Sequence, residues 1–108
     1  MAARKSLRAR AEAGAAFMDE HEPGWADDVD AGLLNMNDAR YCVLGQVGVA
    51  RNVGDYHAMK IHYFLTYSDA CDLGFAIGGE GWKRWGGQLT RLWQGIILGR
   101  QRKDSNNA

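Results

Sequence analysis

Apolar positions along this chain recur mainly at helical spacing. Leu7, Ala11, Gly14 or Ala15, and Met18 follow one another at steps of four and three, with Phe17 beside them. This predicts a first helix on an alanine-rich background that favours the state intrinsically, with Ser6 as its cap and Pro23-Gly24 as its end. The four-residue spacing of Trp25, Val29 and Leu33 predicts a short second helix, interrupted near Gly32.

Asn35, Asn37 and Asp38 offer caps for a run holding Tyr41, Cys42, Val43, Leu44 and Val47. Its β-branched and aromatic residues would suit a strand, but the caps and the Leu44/Val47 pair favour helix. Gly45, Gly48 and Gly54, with Asn52 and Asp55, mark a loop. The segment Tyr56–Tyr67, with Met59, Ile61, Tyr63, Phe64 and Leu65, reads equally as a buried helix or as extended chain. Ser68 is the expected cap of a short helix through Asp72, Gly74 its left-handed C-terminal stop, and Phe75 the hydrophobic partner of that stop.

Gly78, Gly79 and Gly81 break the chain before the clearest element. Trp82, Trp85, Leu89, Leu92 and Ile96 follow a 3-4-3-4 spacing, joined by Trp93 and Ile97, with Lys83, Arg84, Gln88, Arg91 and Gln94 outside the seam. Gly86, Gly87 and Gly95 each weaken such a helix by about 0.8–1 kcal/mol relative to alanine. Burial of the large apolar side chains offers about 1.5–3 kcal/mol apiece, so packing wins. The expected packing sets Trp85, Leu89, Leu92 and Ile96 against the first helix around Leu7, Ala11, Ala15 and Met18, with Ala11, Gly14 and Ala15 small enough to receive large side chains. The fold class is therefore mainly α: a single-domain bundle of about four helices with glycine-rich loops over 1–103, and a polar tail at 104–108 that frays.

Composition adds little to this picture. A length of 108 residues suits one core, and 46% hydrophobic with 24% charged residues is ordinary globular composition. Formal net charge is zero, so no overall field draws the protein to nucleic acid or an anionic membrane. The charge is unevenly placed, however. Arg4, Lys5, Arg8 and Arg10 make the start basic, Arg100, Arg102 and Lys103 do the same near the end, and Asp19, Glu20, Glu22, Asp27, Asp28 and Asp30 lie between. These ends are expected to touch the acidic segment of the same fold. No secretory leader and no apolar run of membrane-spanning length is visible, and Cys42 and Cys71 lack CxxC spacing. The expectation is a cytoplasmic protein with reduced thiols and no membrane partner.

Candidate chemistry is thin. Asp19, Glu20, His21 and Glu22 are sequence neighbours that point in different directions on a helix. His57 and His62 stand five apart, not the four that places two imidazoles on one helical face. Gly78-Gly79-Glu80-Gly81 lacks the Lys-Ser/Thr ending of a phosphate loop and carries a carboxylate. No metal ligands, catalytic residues or cofactor are therefore assigned. Trp82, Trp85 and Trp93, at core spacing, read first as core; a protein-interaction surface is their second reading and a stacking platform for nucleic acid or another ligand the third.

Three groups of phrases carry a resemblance. The first is Arg10-Ala11-Glu12-Ala13-Gly14-Ala15-Ala16 with Met18-Asp19-Glu20 and Pro23-Gly24-Trp25-Ala26. The second is Leu34-Asn35-Met36 followed by Cys42-Val43-Leu44-Gly45-Gln46, and the third is Ala70-Cys71-Asp72-Leu73-Gly74-Phe75 with Leu89 and Trp93. Together they resemble a group of small uncharacterised proteins of actinobacterial phages, prophages and their hosts. The resemblance implies a context, an intracellular protein acting on a host or phage component, and no activity or functional residue. The leading expectation is a non-enzymatic protein-interaction protein, binding a host or phage protein or a second copy of itself. A small-molecule or nucleotide-binding module is the alternative, and a nucleic-acid-binding protein the further one.

Overall fold

The structure, a computed structural model, describes residues 5–106, with side chains described from 5 to 102. It is mainly α-helical: α1 (Leu7–His21), a 3-10 turn (Trp25–Asp28), α2 (Val43–Ala50), α3 (Tyr56–His62), α4 (Tyr67–Asp72) and α5 (Gly81–Asn106). Five α-helices stand where about four were expected. Of the basic and polar ends, Arg4 and residues 107–108 of the expected tail lie outside the described residues, and the backbone of 104–106 continues α5.

Helix α1 begins as its sequence dictates, with the Ser6 hydroxyl accepting from the Ala9 N–H at 3.1 Å. It buries Ala11, Gly14, Ala15 and Met18 and gives way at Pro23 to Gly24, whose φ of +81° starts the 3-10 turn. The helix expected to continue from Trp25 to Leu33 stops after one turn. The Asp30 carboxylate accepts the Gly32 N–H at 2.8 Å, a local bond that competes with helix propagation, and Leu33 is left exposed.

The Tyr41–Val47 run is helical from Val43, and Tyr56–Tyr67 resolves into α3, a turn and the start of α4. The cap of α4 is Thr66, not Ser68. Thr66 accepts from the Asp69 N–H while the Asp69 carboxylate accepts from the Thr66 N–H, closing a capping box two residues earlier than expected. Its far end is the expected left-handed stop. Gly74 has φ +68°, its N–H reaches the Cys71 carbonyl, and the Phe75 N–H reaches that of Ala70. A side chain at Gly74 would also strike the backbone of Arg10 and Ala11 at 2.7–2.8 Å, so α4 ends pressed against α1.

Helix α5 lies along α1, and its buried line is Gly86, Leu89, Trp93 and Ile97. The expected seam of Trp85, Leu89, Leu92 and Ile96 is thus rotated: Leu89 is central, Leu92 and Ile96 sit at the edge, and Trp85 is 40% exposed. The polar residues explain the turn. Thr90 accepts from the Met36 N–H at 2.9 Å, the Gln94 amide donates to Ala31 at 3.0 Å, and Gln101 donates to Ala26 and Val29 at 2.9 and 3.0 Å. These side chains add hydrogen bonds to the irregular 26–36 segment beyond its own turns, and so draw that flank of α5 inward. One buried cluster joins Ala11, Met18, Trp25, Leu44, Met59, Phe75, Leu89 and Trp93. Among the described residues no helix is long and apolar enough to cross a membrane.

Candidate interaction surfaces

The three tryptophans singled out on α5 do not share a face. Trp93 is fully buried, and this is a correction to its place in an interaction surface. Its ring stacks on Phe75 with centroids 5.6 Å apart and meets Trp25 edge-on at 5.9 Å. Its indole N–H donates to the Gly74 carbonyl at 2.7 Å. The reason it can go inside is Gly14, where a Cβ would lie 2.9 Å from the indole and 1.9 Å from the Leu73 carbonyl. Trp82 is half-buried against the core. Trp85 alone reaches solvent substantially, with the Arg84 guanidinium 4.7 Å above its ring.

The most exposed apolar group is elsewhere, at the corner between α3 and α4. Ile61 is 72% exposed, Phe64 91% and Tyr67 47%, with the Lys60 ammonium 5.9 Å from the Tyr67 ring. Helix α3 ends in the same motif as α4: the Phe64 N–H bonds to the Ile61 carbonyl and the Leu65 N–H to that of Lys60. The left-handed position, glycine in α4, is here Phe64 with φ +57°. An L-residue with a bulky side chain is disfavoured there by about 1–2 kcal/mol, and among the described residues little covers the ring in return. Sequence reasoning missed this corner. The usable signal was two helices abutting with no glycine between His62 and Thr66, which forces a residue with a side chain into the left-handed turn.

Part of the charge is neutralised within the fold. Arg51 joins Glu22, Asp28 at 2.7 Å, and the Pro23 carbonyl at 3.0 Å, and the Tyr63 hydroxyl donates to Glu22. The Tyr63 hydrogen bond foremost, and then Arg51, hold the Glu22 carboxyl below the usual carboxylate range against the opposing effect of burial. Arg100 grips Asp19 through two bonds of 3.0 and 2.7 Å and lowers its pKa likewise, assisted by the Trp25 indole N–H at 2.9 Å. The basic C-terminal region does touch the acidic segment, as expected. His21 instead packs on Phe17 with ring centroids 4.3 Å apart.

Neither cysteine is placed for nucleophilic work. Cys42 is buried and caps α2, its sulfur accepting the Gly45 N–H at 3.3 Å, and burial pushes its thiol up to about 11, far from the thiolate a nucleophile needs. Cys71 is buried as well. Among the described residues no group of three or more His, Cys, Asp or Glu is arranged to hold a metal ion. A cleft of about 240 Å³ is lined by Tyr56, Tyr67, Phe75, Trp82 and His57, without a lysine or arginine to hold a phosphate. The Tyr56 hydroxyl is buried with no hydrogen-bond partner, and its pKa is pushed up to about 12, chiefly by burial.

The phrase Cys42-Val43-Leu44-Gly45-Gln46 is structural throughout. Val43 and Leu44 are core. Gly45 makes room not for an aromatic neighbour but for backbone, since a Cβ would lie 2.2 Å from the Ala39 carbonyl. The Gln46 amide pairs with Asp30, accepting its N–H at 2.8 Å and donating to its carbonyl at 3.3 Å, and also donates to Tyr41 at 3.0 Å. Comparison with known protein families, curated proteins and solved structures finds no match to this chain.

Proposed function

We propose that this is a protein-interaction protein that docks through the α3–α4 corner, with Phe64 as the inserted residue. The observation that carries the reading is Phe64 itself: a phenyl ring 91% exposed on a backbone conformation that disfavours it. Strain of this kind persists only where the surrounding structure over-determines it, and it concentrates at ligand-contacting sites. Ile61 and Tyr67 extend the ring into an apolar patch of the sort that marks protein contacts. The partner it suits presents an apolar pocket. A host or phage protein, the context implied by the resemblance above, and a second copy of the chain both meet that description.

Light scattering and affinity capture of wild type beside Phe64→Gly test the reading. The expected result is self-association, or a reproducibly captured partner, that the variant loses while remaining folded. A wild type that is strictly monomeric and captures nothing the variant does not capture equally would overturn it.

A further inference from the structure

We infer that a second surface, the groove between α1 and the first half of α5, receives an acidic amphipathic helix of a partner protein. Two adjoining depressions run along this groove, sharing Arg8, Gln88 and Leu92. Leu7, Trp85, Leu92 and Ile96 form its apolar floor, with Arg8 and Arg91 beside them. Among the described residues no aspartate or glutamate lines either depression. Among the described residues Arg8 and Arg91 enter no ion pair, in contrast to Arg51 and Arg100. Arg10, at the groove's end, leaves its Nε buried without a partner and donates only a long 3.5 Å bond to Cys71. The groove is therefore uncompensated positive charge around an apolar strip.

The helical form of the occupant follows from an independent feature. Gly87, Gly95 and Gly99 lie on α5 with open space where a Cβ would stand, so no contact among the described residues requires glycine there. Each costs helix stability relative to alanine. Gly95, which lines the groove, and Gly99 are one turn apart and let another helix backbone approach closely. A second copy presenting the same face would bring two sets of uncompensated arginines together with no carboxylate between them, which disfavours the symmetric pairing. A nucleic-acid strand would neutralise the arginines but leave Leu7, Leu92 and Ile96 uncovered. A helix with an apolar stripe flanked by carboxylates satisfies both the floor and the charge. This groove shares no lining residue with the Ile61, Phe64 and Tyr67 corner, so each surface fails or stands separately.

The probe is a synthetic helical peptide with leucines on one face and glutamates elsewhere, titrated into the full chain. Its lysine counterpart and a single-stranded DNA are titrated in parallel, each at low and moderate salt. The expected result is saturable, salt-weakened binding of the acidic peptide alone, with NMR shifts confined to Arg8, Trp85, Leu92 and Gly95. Arg8→Glu with Arg91→Glu, both on exposed residues, should weaken it about tenfold while leaving the thermal melt in place. Trp85→Ala should weaken it by about tenfold or more. Equal binding of the two peptides, shifts elsewhere, unchanged affinity in the double reversal, or tighter binding of DNA at these same residues would each overturn the inference.

Discussion

Replacing Phe64 by glycine should raise stability and abolish binding together. The structure sets the magnitude. A ring 91% exposed contributes almost none of the burial energy of a core phenylalanine, which is about 1.5–3 kcal/mol when complete. Its left-handed backbone, φ +57°, costs about 1–2 kcal/mol that glycine does not incur. Glycine adds unfolded-state entropy of about 0.5–1 kcal/mol in the opposite direction. The remainder is a stabilisation of about 0–1.5 kcal/mol, centred on ~0.75, worth a rise of a few degrees in Tm for a domain of this size.

Thermal and urea melts measure the stability change, with Phe64→Ala as the companion. Alanine removes the ring but retains a Cβ in the left-handed turn, so it should leave stability within about 0.5 kcal/mol of wild type. Both variants should lose the interaction equally. A Phe64→Gly that melts below wild type would show that the ring packs against the chain after all, and the argument from strain to function would fall with it.

Gly14→Ala should destabilise by about 1–3 kcal/mol despite better helix propensity, because its Cβ would stand 1.9 Å from the Leu73 carbonyl. Gly87→Ala, facing open space, should instead stabilise by about 0.5–1 kcal/mol, and calorimetry showing the same sign for both would refute the α1–α5 packing. Leu89→Ala should cost about 2–5 kcal/mol and Arg91→Ala less than about 0.5, read from urea midpoints. Glu22→Gln should cost about 1.5–3 kcal/mol at pH 7. Because the folded Glu22 carboxyl is held low, its contribution is complete above the usual carboxylate range of about pH 4.3 and is lost as pH falls below it. Melts at pH 7 and pH 3 should therefore show the gap to wild type narrowing in acid.

What the sequence made legible follows the range of the physics involved. Local signals held at the Ser6 cap, the Pro23-Gly24 stop and the left-handed Gly74, but failed at Ser68, displaced as cap by Thr66, and at Gly45 and Gly48, which lie inside α2 and not in a loop. The seam of α5 was legible only to within one helical position. Periodicity located the apolar stripe, but its rotation was decided by Thr90, Gln94 and Gln101 bonding to carbonyls and an N–H more than fifty residues away. The small residues of α1 were recognised as a receiving surface, and the indole they receive, Trp93, is one whose burial removed it from the candidate surface. The α3–α4 corner went unseen because an apolar run without glycine looks like core until the backbone is known to turn there.

Two departures from local consistency bear on the proposed surfaces. Most residues that break a simple rule are accounted for inside the chain: Gly14, Gly45 and Gly48 sit where backbone or side chains leave no room for a Cβ, and Arg51 and Arg100 are neutralised by their own acidic segment. Phe64 in a left-handed turn, and three open-faced glycines beside uncompensated arginines on the longest helix, have no such internal account. Consistency across levels is the ordinary condition of a folded sequence, and its violations gather at functional positions. Both violations lie on the surface and both combine apolar exposure with a local energetic cost. Neither is placed to assemble a reacting centre with Cys42 or Cys71, which are buried in the core. Contact with another macromolecule, as proposed for each surface, would account for both features.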